Sequence, residues 1–144
     1  MYVLSGYYNI EKDEVHFTSL IRGEVGAATK PFWSPSSKYF AYIDAIGPGS
    51  PTNAIVIEGI DDEGFIIGDS TQKRLSEIDY KDLGDFNGIN PFFRELEWSK
   101  NGEKLFFTKV PGPATPPEKR KELGEEGKRL YFDIYKKEIM EEAD

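Results

Sequence analysis

Residues 31–43 read PFWSPSSKYFAYI, and residues 94–108 read RELEWSKNGEKLFFT. The second stretch repeats the first: Trp33 aligns with Trp98, and in each copy a polar turn leads into an aliphatic and aromatic segment. Apolar segments on both sides of a short polar turn are typical of a β-hairpin. The chain is therefore predicted to contain two equivalent strand–turn–strand units, each with a tryptophan at the end of its first strand.

The residues after the tryptophans predict the turns. Ser34 and Ser99 each carry a hydroxyl that can hydrogen-bond the turn backbone. Three further residues complete each turn: Pro35-Ser36-Ser37 in the first copy and Lys100-Asn101-Gly102 in the second. Gly102, the last of these, is the residue type best able to adopt a positive φ.

Composition favours many short strands in one domain. The 144 residues are enough to bury a core, and they include 10 Phe, 8 Tyr and 2 Trp. The 14 glycines and 9 prolines divide the sequence into short segments, which favours strands and turns over long helices.

Charge and cysteine content exclude several classes of function. The formal net charge of −8 repels phosphate backbones, so we expect no nucleic-acid partner. No run approaches the roughly 18 apolar residues of a membrane span, so we expect no membrane partner. With no cysteine and no signal-peptide pattern at the start, a cytoplasmic location is the simplest expectation. A periplasmic or extracellular protein whose leader had been removed would read the same way.

The remaining sequence predicts further strands. Two segments, 2–8 and 15–21, form a predicted antiparallel hairpin, and turn signals divide residues 29–69 into a four-stranded meander. Residues 75–80 are interpreted as a short helix or a turn. The prolines of 111–117 are predicted to keep that segment out of any ladder, since proline has no N–H donor.

Successive apolar positions predict sheets that are covered on both faces. The segments 55–57, 65–67 and 105–107 are apolar at every position, whereas a strand with one wet face alternates apolar and polar residues. Antiparallel meanders stacked face to face satisfy this pattern. The charged tract at 118–128 is interpreted as a short solvated helix or a mobile arm.

The two hairpins resemble the TolB-type, WD-like β-propeller repeat, in which a tryptophan is followed by Ser-Pro-Asp-Gly and a second apolar strand. The same repeat occurs in propeller domains of prolyl oligopeptidase-like proteins. The first copy departs from it at Ser36 and Ser37, and the second at Lys100 and Asn101. The resemblance implies an all-β fold of antiparallel four-stranded propeller-like blades, about two blades plus a partial one per chain.

On this reading the whole chain, 1–144, is a single propeller-like domain. A partial blade covers 1–22, a blade 29–69 and an incomplete blade 92–136, and 137–144 form a charged tail. Closed propellers usually have about 4–8 blades. We therefore expect either that copies of the chain assemble into a ring or stack, six blades from three chains being one possibility, or that this is a piece of a longer propeller.

No residue pattern predicts catalysis or a bound cofactor or metal. His16, the only histidine, lies in a predicted strand and is interpreted as structural rather than as a catalytic base. No Gly-x-Ser-x-Gly surrounds a serine, so a hydrolase triad lacks its usual setting. The acidic residues 61–63 lack the alternating spacing of a calcium loop and are interpreted as a solvated hairpin turn. The loop at 47–50 is not followed by the Gly-Lys-Ser/Thr of a phosphate-binding loop.

The aromatic residues allow two interpretations. Exposed rings can stack on sugars, which would indicate a glycan-binding protein. We favour a core between the sheets, formed by Trp33, Trp98, Phe93, Phe106 and Phe107. Three tyrosines are candidates for an interface, where this residue is common: Tyr7, Tyr8 and Tyr135.

The sequence thus predicts a non-enzymatic scaffold or protein-interaction module whose partner is protein, foremost itself. The loops at 44–53 and 110–128 are the expected recognition surfaces, because function concentrates on loops held by rigid elements. Two alternatives stay open. One is an accessory propeller portion of a prolyl oligopeptidase-like peptidase, and the other is a glycan-binding β-protein.

Overall fold

Antiparallel strands make up most of the chain that the structure, a computed structural model, describes. The described residues are 6–17, 27–28, 31–45, 53–68, 80–83, 91–113 and 115–143. The strands are β1 (Gly6–Asn9), β2 (Glu14–Phe17), β3 (Ala27–Ala28), β4 (Phe32–Trp33), β5 (Tyr39–Ala45), β6 (Asn53–Gly59), β7 (Gly64–Gly68), β8 (Tyr80–Leu83), β9 (Pro91–Trp98), β10 (Lys104–Pro111), β11 (Lys128–Asp133) and β12 (Glu138–Glu141). The helix α1 spans Pro117–Leu123. Among these residues no helix has the length and apolar character to cross a membrane.

Strands β1 and β2 form a separate antiparallel hairpin, the N-terminal hairpin, as predicted. Its register pairs Tyr7 with His16 and Tyr8 with Val15. The side chain of Asn9 fixes the turn, because its Oδ1 accepts hydrogen bonds from two backbone N–H groups that follow it, each at 3.1 Å. Asparagine is a common turn residue for this reason.

Six strands, β3 to β8, form the first of two larger sheets, which we call sheet A. β3 and β4 both pair with β5, and β5, β6 and β7 follow as antiparallel neighbours. The four-stranded meander predicted over 29–69 is present as β4 to β7. Strand β8 was not predicted, and it pairs with β7 in parallel. The helix or turn expected at 75–80 falls outside the described residues, except that Tyr80 begins β8.

Strands β9 to β12 form an antiparallel meander, sheet B. The sequence predicted three strands here and a charged tail at 137–144, and the tail prediction is wrong over Glu138–Glu141, which is β12. A tight turn brings this segment back: the carboxylate of Asp133 accepts hydrogen bonds from two backbone N–H groups of the turn, at 3.0 and 2.9 Å. Ile139 then packs against the buried core, which a solvated tail could not do.

Two expectations for residues 111–128 have different outcomes. Pro111 does join a ladder, contrary to the prediction, because it occupies the last position of β10 opposite Pro91. At a strand end the missing N–H interrupts no interior hydrogen bond. The helical interpretation of the charged tract is confirmed by α1, which has a proline in its first turn and ends at Gly124 with φ 75°.

Sheet A and sheet B stack face to face around the main core. Phe65 of sheet A lies 4.8 Å, centroid to centroid, from Phe132 of sheet B. Side chains of β5, β6 and β7 that point the other way form a second cluster, against which Tyr7 of the N-terminal hairpin packs. Burial on both faces is thus confirmed for sheet A: Ile55 and Ile57 face the main core and Val56 faces the second cluster. An all-β fold of stacked antiparallel sheets is confirmed, and closure into a propeller stays a prediction.

Candidate functional site

The two tryptophan-ended hairpins make the same hydrogen bonds at their turns. In the first, the backbone N–H of Ser34 donates to the carbonyl of Tyr39 at 2.9 Å, and Tyr39 N–H donates to Ser34 Oγ at 3.2 Å. In the second, the backbone N–H of Ser99 donates to the carbonyl of Lys104 at 2.9 Å, and Lys104 N–H donates to Ser99 Oγ at 3.0 Å. Each serine side chain therefore closes its own hairpin, as the aligned positions predict.

The match extends to the backbone conformation of the turns. Ser37 N–H donates to the Ser34 carbonyl at 2.9 Å, and Gly102 N–H donates to the Ser99 carbonyl at 2.8 Å. The φ angles of these two donors are positive, 58° for Ser37 and 72° for Gly102. The positive φ expected at Gly102 is therefore present in both copies, and in the first copy a non-glycine residue adopts it.

The two tryptophans differ in their surroundings. Trp98 is half-buried against the main core, its ring lies 6.4 Å from that of Tyr39, and its indole N–H donates to the Phe32 carbonyl at 2.9 Å. Trp33 is 44% exposed and lies on the opposite face of sheet A, 5.8 Å from the ring of Tyr7 and 5.1 Å from that of Phe40. The prediction that Trp33 belongs to the core between the sheets is wrong, because sheet B covers the other face.

The phenylalanines of that predicted core divide in the same way. Phe93 and Phe107 are buried between the sheets, with ring centroids 5.6 Å apart. Phe106 instead lies on the outer face of sheet B, half-buried and 5.5 Å from the ring of Tyr131. Alternation along β10 explains the difference, since neighbours in a strand point to opposite faces.

Four turns lie side by side at one edge of the stacked sheets, which we call the turn rim. They span residues 34–38, 60–63, 99–103 and 134–137. An ion pair of 2.7 Å between Lys137 Nζ and Glu63 Oε2 joins the sheets there. The rim is thus a fixed surface made from parts far apart in sequence.

A cleft of about 120 Å³ opens between these turns. Side chains of both sheets line it, among them Lys38, Tyr39, Asp62, Asn101, Ile134 and Tyr135. Ile134 is buried and Tyr135 is 74% exposed, so the cleft has an apolar floor and an aromatic lip.

Carboxylates lie near the Tyr39 hydroxyl in this rim cleft. The Tyr39 hydroxyl lies 3.5 Å from Asp62 Oδ2. Burial raises the pKa of Tyr39, and the nearby Asp62, Tyr135 and Glu63 raise it further. A phenolate is disfavoured here because it would be partly desolvated beside carboxylates. We identify the rim cleft as the candidate functional site.

The three tyrosines proposed for an interface have distinct positions. Tyr7 is half-buried against the second cluster. Tyr8, on the opposite face of the N-terminal hairpin, is 53% exposed and its hydroxyl hydrogen-bonds Asp13. Tyr135 lies at the rim cleft. Their role at an interface stays a prediction.

The other residues considered as catalytic or metal-binding candidates do not form a common site among the described residues. The backbone of His16 pairs with that of Tyr7, and its side chain lies outside what the structure describes. Asp61 and Asp62 are exposed in a turn, as predicted, while Glu63 pairs with Lys137. Within the described part of the chain, no three His, Cys, Asp or Glu residues lie close enough together to hold a metal ion.

Of the two loops expected to carry recognition, only one can be located. Most of 44–53 lies outside the described residues. Within the described part of 110–128, Arg120 Nη2 of α1 donates to the Gly112 carbonyl, next to the end of β10, at 2.8 Å. Sequence reasoning did not single out Tyr39 or Ile134, and it interpreted Asp62 only as part of a solvated turn. The alignment of the two turns was the signal that could have pointed to this edge.

The ends of the stack have opposite character. Six large apolar side chains are exposed among the described residues, and four of these lie on or beside the N-terminal hairpin: Tyr8, Ile10, Val15 and Trp33. At the other end, on the outer face of sheet B, Arg129 donates to the Glu95 carbonyl at 2.6 Å, to Thr108 Oγ1 at 3.3 Å and to Glu97 Oε2 at 3.2 Å. The Glu97 side chain is 74% exposed, so this network faces solvent.

Comparison with known proteins assigns no family. No protein-family model matches the chain, and no curated protein is significantly similar to it.

Proposed function

We propose that the chain is a non-enzymatic scaffold of propeller-type blades that binds protein and associates with itself. One observation carries the proposal: the face of each sheet that bears its tryptophan points in the same direction along the stack. Sheet B places its Trp98 face on sheet A, and sheet A turns the equivalent Trp33 face away from sheet B. A stack in which both sheets point the same way has two different outer faces. A further sheet would therefore make different contacts at each of them.

Register makes the comparison of the two ends concrete. Cross-strand pairs place Ala41 beside Ile57, and in sheet B they place Phe106 beside Tyr131. The first pair is completely buried against sheet B, whereas the second pair is half-buried. The outer face of sheet B thus corresponds to a face that sheet A buries.

Beyond Phe106 and Tyr131, the outer face of sheet B no longer matches the face that sheet A buries. This difference favours one mode of association. Where sheet A has Ile55 facing the core, sheet B has Arg129 in its network of exposed carboxylates. A ring that buried this network would have to desolvate it, at a cost of several kcal/mol per uncompensated charge. The end with Trp33 and the N-terminal hairpin instead exposes the apolar side chains of Tyr8, Ile10, Val15 and Trp33. A two-fold pair of chains, which uses one apolar surface twice, fits the surface better than a ring of three chains.

Light scattering during size-exclusion chromatography tests this proposal. We expect twice the monomer mass at micromolar concentration, and the monomer mass for the double variant Tyr8→Ser, Val15→Ser. The control is Tyr135→Ser, which removes an even more exposed ring at the turn rim and should leave the dimer intact. A wild-type chain that stays monomeric at every concentration would refute self-association.

The other candidate functions have no specific observation in their favour. A role as an accessory propeller portion of a prolyl oligopeptidase-like peptidase stays a prediction, and so does glycan binding.

A further inference from the structure

We infer that the rim cleft binds an arginine side chain presented by a basic segment of a partner protein. This inference rests on the proposed protein-binding function and names the chemistry of one contact. Tyr39 and Tyr135 supply aromatic rings, and Asp62 supplies a carboxylate between the two sheets. Aromatic faces and carboxylates are the two groups that guanidinium binds best, by stacking and by paired hydrogen bonds.

The Asp62 carboxylate is available for a cation. It is exposed, and the hydrogen bond it accepts from Tyr39 is long, at 3.5 Å. Its neighbour Glu63 is already paired with Lys137. Lys38 also lines the cleft, but within the described contacts it forms no ion pair with Asp62. Among the described contacts the Asp62 carboxylate therefore forms no ion pair.

The size of the cleft favours one side chain over a larger ligand. Pockets for drug-sized molecules are about 300–1,000 Å³, whereas this cleft is about 120 Å³. That volume admits a planar guanidinium with part of its aliphatic stem. Arginine is favoured over lysine because its planar group stacks on tyrosine and is more weakly hydrated than an ammonium group.

Overall charge supports the same kind of partner. The chain has a formal net charge of −8, with 26 acidic and 18 basic residues. An acidic surface attracts basic segments and raises their association rate, an effect that salt weakens. Binding at the rim cleft should therefore weaken as ionic strength increases.

A fluorescence titration tests the inference in the full chain. Trp98 is the reporter, since its ring lies 6.4 Å from Tyr39, and the Trp33→Phe background removes the other indole. The probes are the peptide acetyl-Gly-Gly-Arg-Gly-Gly-amide and its Gln counterpart. We expect a saturable change with the Arg peptide only. Affinity should fall about fivefold in Asp62→Asn, the size expected for a partly exposed ion pair, and should also fall in Tyr135→Ala.

The control variants separate the cleft from general charge. Asp61→Asn removes the same charge one residue away and should change affinity less than twofold, and Tyr135→Phe should bind as the parent does. An equal response to the Gln peptide, equal losses in the Asp61 and Asp62 variants, or saturation by maltotriose in place of the Arg peptide would each overturn the inference.

Light scattering distinguishes this inference from the proposed function. It is measured on the chain and its Asp62 and Tyr135 variants with Trp33 retained, because Trp33 lies on the proposed self-association surface. A dimer that ignores the Arg peptide removes only the cleft assignment, and a monomer that binds the peptide removes only the self-association.

Discussion

Ser37 and Gly102 occupy the same position in two turns that share their hydrogen bonds, although one residue has a Cβ and the other has none. Their φ angles are 58° and 72°. A positive φ brings Cβ close to the neighbouring carbonyl oxygen in any residue except glycine. The backbone of the first hairpin is therefore strained at Ser37, whereas that of the second is not strained at Gly102. Because the two turns align, a substitution can remove this strain from the first turn or introduce it into the second.

Exchange at this position should change stability in opposite directions. We expect Ser37→Gly to raise the free energy of unfolding by up to about 1 kcal/mol, because strain is relieved at some cost in unfolded-state entropy. Gly102→Ala should lower it by about 1 kcal/mol or more, since the added Cβ would also lie 3.3 Å from Ser36 Oγ. Urea unfolding measures both. Ser36→Gly is the control and should destabilise, because its hydroxyl lies 3.0 Å from that of Ser34; stabilisation there would remove the strain explanation.

The tryptophans should contribute unequally to stability despite their matched positions. Trp98→Phe deletes the indole hydrogen bond to the Phe32 carbonyl and leaves a gap beside the main core, so we expect a loss of about 1–3 kcal/mol. Trp33 is 44% exposed, and Trp33→Phe should cost less than about 1 kcal/mol. Chemical denaturation of both variants decides the matter. Equal losses would contradict the assignment of the two rings to different surroundings.

The Arg129 network should stabilise sheet B as a connected unit. Arg129→Met removes the donors to the Glu95 carbonyl and Thr108 Oγ1, and we expect a loss of about 1–2 kcal/mol. Glu97→Gln should cost less than about 1 kcal/mol because that carboxylate is 74% exposed. Thermal unfolding followed by circular dichroism gives both values. A larger loss in the Glu97 variant would indicate that the exposed ion pair, rather than the backbone contact, holds the network.

The lowered pKa of Lys109 should make the stability of the protein depend on pH. Burial and the neighbouring Lys128 lower the pKa of Lys109 to about 8, against an ordinary value of 10.5. Between these two values the unfolded chain binds more protons than the folded one, so this lysine makes stability rise with pH from about 8 to 10.5. Below about 8 the full cost of charging the partly buried amine is present.

The variant Lys109→Met isolates that effect. We expect it to be more stable than the parent chain at pH 7, with a difference that shrinks as the pH approaches 10. Comparing the two chains at each pH cancels the contribution of Tyr39, whose raised pKa opposes the trend above about pH 10. A difference that stays constant from pH 7 to pH 10 would argue against a depressed lysine pKa.

Local chemistry explains what could be predicted from the sequence. The turns after Ser34 and Ser99 and the strands that flank them depend on residues within a few positions of one another. Apolar residues at every position of 55–57 predicted the two-sided burial of sheet A, which is observed. Strand β12 was missed because its two apolar residues, Ile139 and Met140, lie among charged residues. The segment is recognisable as a strand only through its pairing with β11.

By itself, the sequence determined that this chain forms short antiparallel strands joined by defined turns, because hydrophobic pattern and turn residues act over short distances. Only the tertiary structure decided which face of each sheet is covered. The contact between Trp98 and Phe32 joins residues 66 positions apart, and that between Lys137 and Glu63 joins residues 74 apart. Such pairs form only after the sheets have stacked, and they create the rim cleft and leave Trp33 exposed although its sequence matches that of Trp98.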